Sequence, residues 1–388
     1  MPRSAPARAP ITSPAAATVF TTVLTEGPVS RVDVARRTGL SSAAVTKAAR
    51  PFIEAGYLEE LASAGRTGPG AGRPANPLAI RPDREYFVGV KITGDDLIGV
   101  VTDLRADVRT GACHALTSHD VDHVVGALAD LVGQLLSGHL RERAHCLGVA
   151  VSGDVDRASG VVRYSPFLGW RDVPLAALLA EATGLTVTLE NDVKALAVAE
   201  QWFGEGVGAS SFALVTVGTG IGSALVVNGA LVRGVHGVAG ELGHVPVVDG
   251  GPACHCGGRG CVEAIASTEA ILTRARQVAG EPELSMADAV ARARSGDEPL
   301  REVFAGAGHA IGLGLAALVN LFGPERVVVS GEGVAAYDLF EEQIRRTFAV
   351  QAFGSAARCG LVIRPLPFEQ WARGAAAVAV QSLFVAGT

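Results

Sequence analysis

The sequence predicts a mixed α/β protein, a small winged helix-turn-helix followed by a larger two-lobed body. Three observations carry this expectation. Two short amphipathic stretches flank the tight turn Gly39-Leu40-Ser41. From residue 85 onward strand-like and helix-like segments alternate, and the pattern restarts near residue 211. Three of the six cysteines crowd into Cys254–Cys261, ten residues after His244. At 388 residues with 48% hydrophobic content, the chain is long enough for more than one domain and apolar enough for a real core. The expected divisions are 1–62 for the head, 63–84 for a wing and Gly/Pro-rich linker, and 85–388 for the body.

In the head, Arg31–Thr38 reads as a short helix with Val34 and Ala35 inward. Gly39 suits the positive φ of the turn, Leu40 fills the core, and a serine caps the next helix. That helix runs from about Ser42 to Ala55 and buries Val45, Ala49, Phe52 and Ile53. Its other face presents Ser42, Thr46, Lys47 and Arg50, short polar and basic groups suited to a DNA major groove. Pro51 should bend it. Tyr57–Leu61 and Leu78–Ile80 read as wing strands, and the loop between them holds Arg66 and Arg73 among glycines. Guanidinium groups there suit a narrow minor groove; a solvated linker explains Arg66 equally well. Residues 1–80 carry nine basic and five acidic residues, the remainder 24 basic and 34 acidic. Contact with nucleic acid is therefore expected of the head alone.

The body opens with three strand-like stretches, Tyr86–Ile92, Leu97–Asp103 and one near Ala112–Leu116. A helix over Val121–Leu136, the strands Cys146–Val151 and Thr186–Glu190, and a helix over Val193–Phe203 follow. The second round comprises Ser211–Val217, Ile221–Val227, Leu231–Val232, Arg326–Ser330 and a last helix, Ala375–Phe384. Such a duplicated pattern implies two similar lobes flanking a cleft, with ligands at the strand ends. Val303–Phe322 is long enough to span a membrane, but it contains His309 and Asn320 and leads into a strand. An interior helix, no membrane insertion and a cytoplasmic location are expected; Met1-Pro2-Arg3-Ser4 leads into no apolar signal segment.

Three chemically loaded stretches would face the cleft. Glu190-Asn191-Asp192 joins a strand to a helix, where Asp192 could serve simply as an N-cap. Gly218-Thr219-Gly220-Ile221-Gly222 joins two strands; its backbone N–H groups could cradle phosphate, or it could be an ordinary turn. His244, Cys254, Cys256 and Cys261 suit a closed tetrahedral zinc site spanning 244–261, structural because no position is left open. Cys-X-Cys neighbours are poorly placed to form a disulfide. Zinc would hold Glu241 and Glu263 on one module, and carboxylates are good acceptors for sugar hydroxyls.

On these motifs, with Ser330-Gly331-Glu332-Gly333 and Gly374-Ala375-Ala376, the body resembles the ROK family over nearly all of 85–386. The head resembles the winged helix-turn-helix of its repressor branch. The resemblance implies an actin-like sugar kinase fold and zinc on His244, Cys254, Cys256 and Cys261. It also implies sugar contacts from Asn191, Asp192, Glu241, His244 and Glu263, with Asp192 the base in the kinases. The kinases open the body with a strand ending in Asp-X-Gly-Gly-Thr. Here Lys91 replaces the Asp, Thr93 the first Gly and Asp95 the Thr. Lysine cannot ligate magnesium, and phosphoryl transfer depends on metal and positioning. The expectation is therefore a sugar-responsive repressor of carbohydrate-metabolism genes with no catalytic residue and no ATP or Mg²⁺ requirement. Its partners would be a double-stranded DNA operator and a sugar or sugar-phosphate effector in the interlobe cleft, and its assembly a homodimer or dimer of dimers. Gly218, Thr219, Gly220 and Gly222 would be a residual nucleotide loop. The alternative is an ATP-dependent sugar kinase with an appended DNA-binding domain. A module that has lost both ligands is disfavoured by the full set of carboxylates.

Overall fold

The computed structural model describes residues 9–62 and 76–384. The head contains three helices, α1 (Pro14–Glu26), α2 (Arg31–Thr38) and α3 (Ser42–Glu54), and an antiparallel pair, β1 (Leu58–Glu60) and β2 (Leu78–Ile80). The helix-turn-helix forms as expected. Gly39 takes φ +72°, and the Ser41 side chain accepts from the Ala44 N–H. α3 continues through Pro51. The first helix is an addition to the sequence reading. Ser13 caps it, accepting from the Ala16 N–H, and Pro14 occupies its first turn, where no N–H partner is needed. α1 supplies Val19, Phe20, Val23 and Leu24 to the head core, and Phe20 stacks on Phe52 with centroids 4.6 Å apart.

The chain divides into two compact units, one running to Val207 and resuming at Trp371, the other Gly208–Gln370. In the first, β3 (Tyr86–Ile92), β4 (Asp96–Thr102) and β5 (Val108–Ala115) form an antiparallel meander. After helices α4 (Val121–Leu135) and α5 (His139–Arg143), β6 (Ala144–Val151) joins β3 in parallel. A small sheet of β7 (Asp154–Asp156), β8 (Val161–Ser165) and β9 (Trp170–Val173) leads through helix α6 (Leu175–Thr183) to β10 (Thr186–Asn191), parallel to β6. Helix α7 (Asp192–Phe203) follows. The β7–β9 sheet and α6 are further additions to the sequence reading.

The second unit repeats the theme. Its sheet contains β11 (Phe212–Val217), β12 (Ile221–Val227), β13 (Ala230–Leu231), β14 (Arg326–Ser330) and β15 (Gly360–Ile363), in the order β13-β12-β11-β14-β15. Helices α8 (Val262–Ala266), α9 (Thr268–Ala279), α10 (Met286–Arg294), α11 (Glu298–Phe322) and α12 (Tyr337–Gln351) cover it. α11 is long and apolar enough to cross a membrane, yet 67% of that stretch is buried. Glycine explains the tight packing: a Cβ at Gly312 would lie 2.7 Å from the Cβ of Thr347 on α12. The last helix, α13 (Glu369–Gln381), begins earlier than expected, and Ser382–Phe384 is a 3₁₀ turn.

From Trp371 on, α13 lies against the first unit's sheet. A Cβ at Gly89 or Gly148 would meet the Ala372 or Ala375 carbonyl oxygen at 2.1 and 1.9 Å. Gly374 in turn lies against α7, its Cβ position 2.9 Å from the Leu196 nitrogen. Three glycines thus fix α7, and the residues at its start, against the sheet.

Candidate ligand and metal sites

The ends of β3, β6 and β10 bring Lys91, Ser152, Asn191 and Asp192 together. α7 starts at Asp192, and its cap is Asn191, whose side-chain oxygen accepts from the Val193 and Lys194 N–H groups. The Asn191 amide donates to the Gly153 carbonyl at 3.0 Å. The simple N-cap reading of Asp192 is thereby corrected, since its neighbour performs that role. Asp192 accepts instead from Lys91 and, at 2.6 Å, from the Ser152 hydroxyl; Lys91 also donates to Ser152 at 3.0 Å. The Lys91 and Asp192 side chains are only 7% and 10% exposed. Burial opposes the Asp192 charge, but Lys91, Ser152 and the Val193 N–H outweigh it and hold the carboxyl below its ordinary range. The Lys91 ammonium also faces the Trp371 ring at 5.4 Å. Thr93, where a phosphate-loop glycine was the reference, closes the β3–β4 turn through Asp96.

Beside this cluster Glu190 pairs with Arg157 at 3.2 Å. Asp154 Oδ1 and Ser165 Oγ are buried without a hydrogen-bond partner. Both adjoin Gly153, whose Cβ position lies 3.0 Å from the Ser165 Cα.

In the second unit, His244, Cys254, Cys256 and Cys261 present ligand atoms that all lie within 4.8 Å of one another. His244 Nδ1 is 3.6 Å from Cys254 Sγ, and Cys256 Sγ is 3.8 Å from Cys261 Sγ. Glycine makes this closure possible. Gly260 has φ +68°, and a Cβ there would lie 1.8 Å from the Val248 carbonyl oxygen. Burial and the neighbouring sulfurs push the Cys261 thiol up to about 12; a divalent cation among the sulfurs would reverse that preference. Gly243 holds the His244 turn against β12, its Cβ position 2.1 Å from the Ile221 carbonyl oxygen. Glu241 is exposed just before that turn. Glu263 opens α8, accepts from the Ile221 N–H at 2.8 Å and pairs with His255 at 3.0 Å. Sequence reasoning gave His255 no role, although it lies inside the cysteine motif. In the glycine loop, the Gly218 N–H donates to the Gly220 carbonyl, while Thr219 donates to Glu332.

On the head, Ser42, Thr46, Lys47 and Arg50 are all exposed along α3. Thr46 bonds the Ser42 carbonyl, Arg50 pairs with Glu54 one turn on, and Lys47 has no ion-pair partner among the described residues. An exposed pair such as Arg50–Glu54 is weak and exchanges easily for a phosphate. Arg66 and Arg73 lie outside the described residues.

The ROK family model matches residues 87–382. The chain belongs to the ROK family. Its curated relatives fall on both of the family's branches. The glucokinase of Thermotoga maritima is 34% identical over 260 residues, covering 63% of this chain and 81% of the relative. The DNA-binding transcriptional dual regulator NagC of Escherichia coli K12 is 29% identical over 326 residues, 81% of this chain and 80% of NagC. Among solved structures, a ROK family transcriptional regulator, a homologue of the E. coli MLC protein, aligns with a TM-score of 0.80 at 27% identity. That alignment covers 95% of this chain and 96% of the other, head included. The kinase match leaves more than a third of the chain uncovered; the regulator matches span most of it.

Proposed function

We propose that this ROK protein is a sugar-responsive, DNA-binding transcriptional regulator, a repressor of carbohydrate-metabolism genes, and that it transfers no phosphate. The observation that carries this reading is the Lys91–Asp192 ion pair, formed at the site where a kinase needs a free base and a metal-positioning carboxylate. A base already bonded to a buried ammonium is a poor acceptor for a hydroxyl proton. Lysine at 91 also offers no ligand to magnesium. The regulator matches, which span most of the chain, support the regulator reading.

The effector is a sugar or sugar phosphate; Asn191 and Asp192 are the candidate contacts of the first unit, and Glu241, His244 and Glu263 are, separately, those of the second. Zinc fits the His244/Cys254/Cys256/Cys261 cluster. Zinc–sulfur bonds of about 2.3 Å and zinc–nitrogen bonds of about 2.0 Å require tetrahedral edges of about 3.8 Å between sulfurs and about 3.5 Å between sulfur and nitrogen. The 3.8 and 3.6 Å separations match those edges. Its role is structural, holding Glu241 and Glu263 in place. The protein acts in the cytoplasm as a homodimer, with α3 of each head in the major groove of a two-fold operator.

A second reading, sugar kinase with a DNA-binding head, rests on the intact Asp192 and the glucokinase relative. A thermal-shift panel of monosaccharides and amino sugars, with and without MgATP, separates the two. The regulator melts higher with its sugar alone and gains nothing from MgATP, whereas the kinase responds to both.

A further inference from the structure

The glycine loop between β11 and β12 is filled by the protein's own carboxylates. Glu332 accepts from the Thr219 N–H at 2.7 Å and from the Thr219 hydroxyl at 3.0 Å. Glu263 accepts from the Ile221 N–H at 2.8 Å. The glycines of the loop are shaped to these groups: a Cβ at Gly218 would lie 2.1 Å from Glu332 Oε1, and one at Gly220 would lie 2.9 Å from Glu263 Oε2. The position of Glu332 is built into the backbone. It follows Gly331, which has φ +101° and whose Cβ would lie 2.4 Å from the Val217 carbonyl oxygen. The Thr268 N–H holds the other side of the loop through the Gly218 carbonyl at 2.8 Å. No ion-pair partner neutralises Glu332 among the described residues.

We infer that Glu332 is a specificity-determining residue: a resident anion that occupies the phosphate-binding donors of the loop and excludes nucleotide, so that the protein responds to sugar alone. Backbone N–H groups in a glycine turn attract whatever anion is nearest, and here that anion is covalently present at high effective concentration. A polyphosphate entering the loop must displace the carboxylate and remain beside its charge. The two glycine-rich motifs thus serve each other, Gly331 placing the carboxylate and Gly218 making room for it. This inference rests on the regulator reading, but it concerns a different residue and a different ligand.

The test uses the full chain and inorganic tripolyphosphate, followed by calorimetry, with zinc content and melting temperature as checks on folding. Glu332→Gly removes charge and bulk together; Glu332→Gln keeps an acceptor for Thr219 and removes only the charge. Both variants should bind tripolyphosphate roughly tenfold or more tightly than wild type, the change expected when one charge-assisted contact is gained. Affinity unchanged in the folded variants, Glu332→Gln deciding if Glu332→Gly does not fold, overturns the inference and leaves the regulator reading standing. Sugar phosphorylation by the wild type overturns the regulator reading itself.

Discussion

Lys91 and Asp192, 101 residues apart in sequence, form a buried ion pair at the adjoining ends of β3 and α7. Neither charge would tolerate its surroundings alone, because burial without a partner costs several kcal/mol per ion. Removing either side chain, as Lys91→Ala or Asp192→Ala, should therefore destabilise the protein by about 3–5 kcal/mol. The double variant should lose less than the sum. A double-mutant cycle from denaturant titrations measures the coupling, and additive losses would show that the pair contributes nothing of its own.

The same pair sets an expected pH dependence. The Asp192 carboxyl is held below its ordinary range in the folded protein. Its contribution is thus fully present above the unfolded-state value of about 3.9 and is lost as pH falls through the lower folded value. Melting temperature attributable to this pair should be flat from neutrality down to about pH 5 and fall only in acid. Asp192→Asn should flatten the acid limb. An Asp192-dependent slope near pH 7 would mean that the carboxyl is raised, not depressed.

Effector binding should depend on the same carboxylate. A charge-assisted bond to a sugar hydroxyl contributes roughly 1.5–3 kcal/mol, so Asp192→Asn should weaken binding about ten- to a hundredfold. DNA affinity without sugar should stay close to wild type while its response to sugar disappears. Calorimetry with the sugar identified by thermal shift reads the first effect, and operator titration with and without that sugar reads the second.

Metal content is the direct check on the cysteine module. Purified protein should carry about one zinc per chain, as a single closed site requires. Cys256→Ser should lose the metal, and sugar affinity should fall with it as Glu241 and Glu263 lose their support. Protein purified without chelator and found free of zinc would remove zinc from the account.

The proposed DNA reader of the head is the exposed face of α3. Lys47→Ala and Arg50→Ala should each weaken operator binding by ~1–3 kcal/mol if the side chain reads a base edge, and by less if it meets phosphate. Arg50 should lose less than Lys47, since Glu54 already competes for it. Unchanged affinity in both variants at one salt concentration would exclude this helix as the reader.

The sequence made the helix-turn-helix, both lobes and the metal cluster legible because each rests on local chemistry. Gly39 and Ser41 announce a turn and a cap, and four soft ligands within 18 residues announce a closed site. α1 was hidden by its setting: Pro14 to Ala17 continues an Ala/Pro-rich stretch, so the Ser13-Pro14 start signal passes for linker. The β7–β9 sheet was hidden because its strands are three to five residues long and carry little periodicity. Pairings across long sequence distances were out of reach altogether. Lys91 could be read as unable to bind magnesium, but not as the partner of Asp192. Glu332 lay in a glycine-rich motif read only as part of the family resemblance, and only the folded chain brings its carboxylate to Thr219.

The central claim is that this kinase-type fold binds sugar without phosphorylating it. Its most direct test is ADP release by the wild-type protein in the presence of MgATP and each sugar that raises its melting temperature. The account predicts no release above the sugar-free background. Sugar-dependent turnover of about one per second or faster, ordinary for an enzyme, would contradict it.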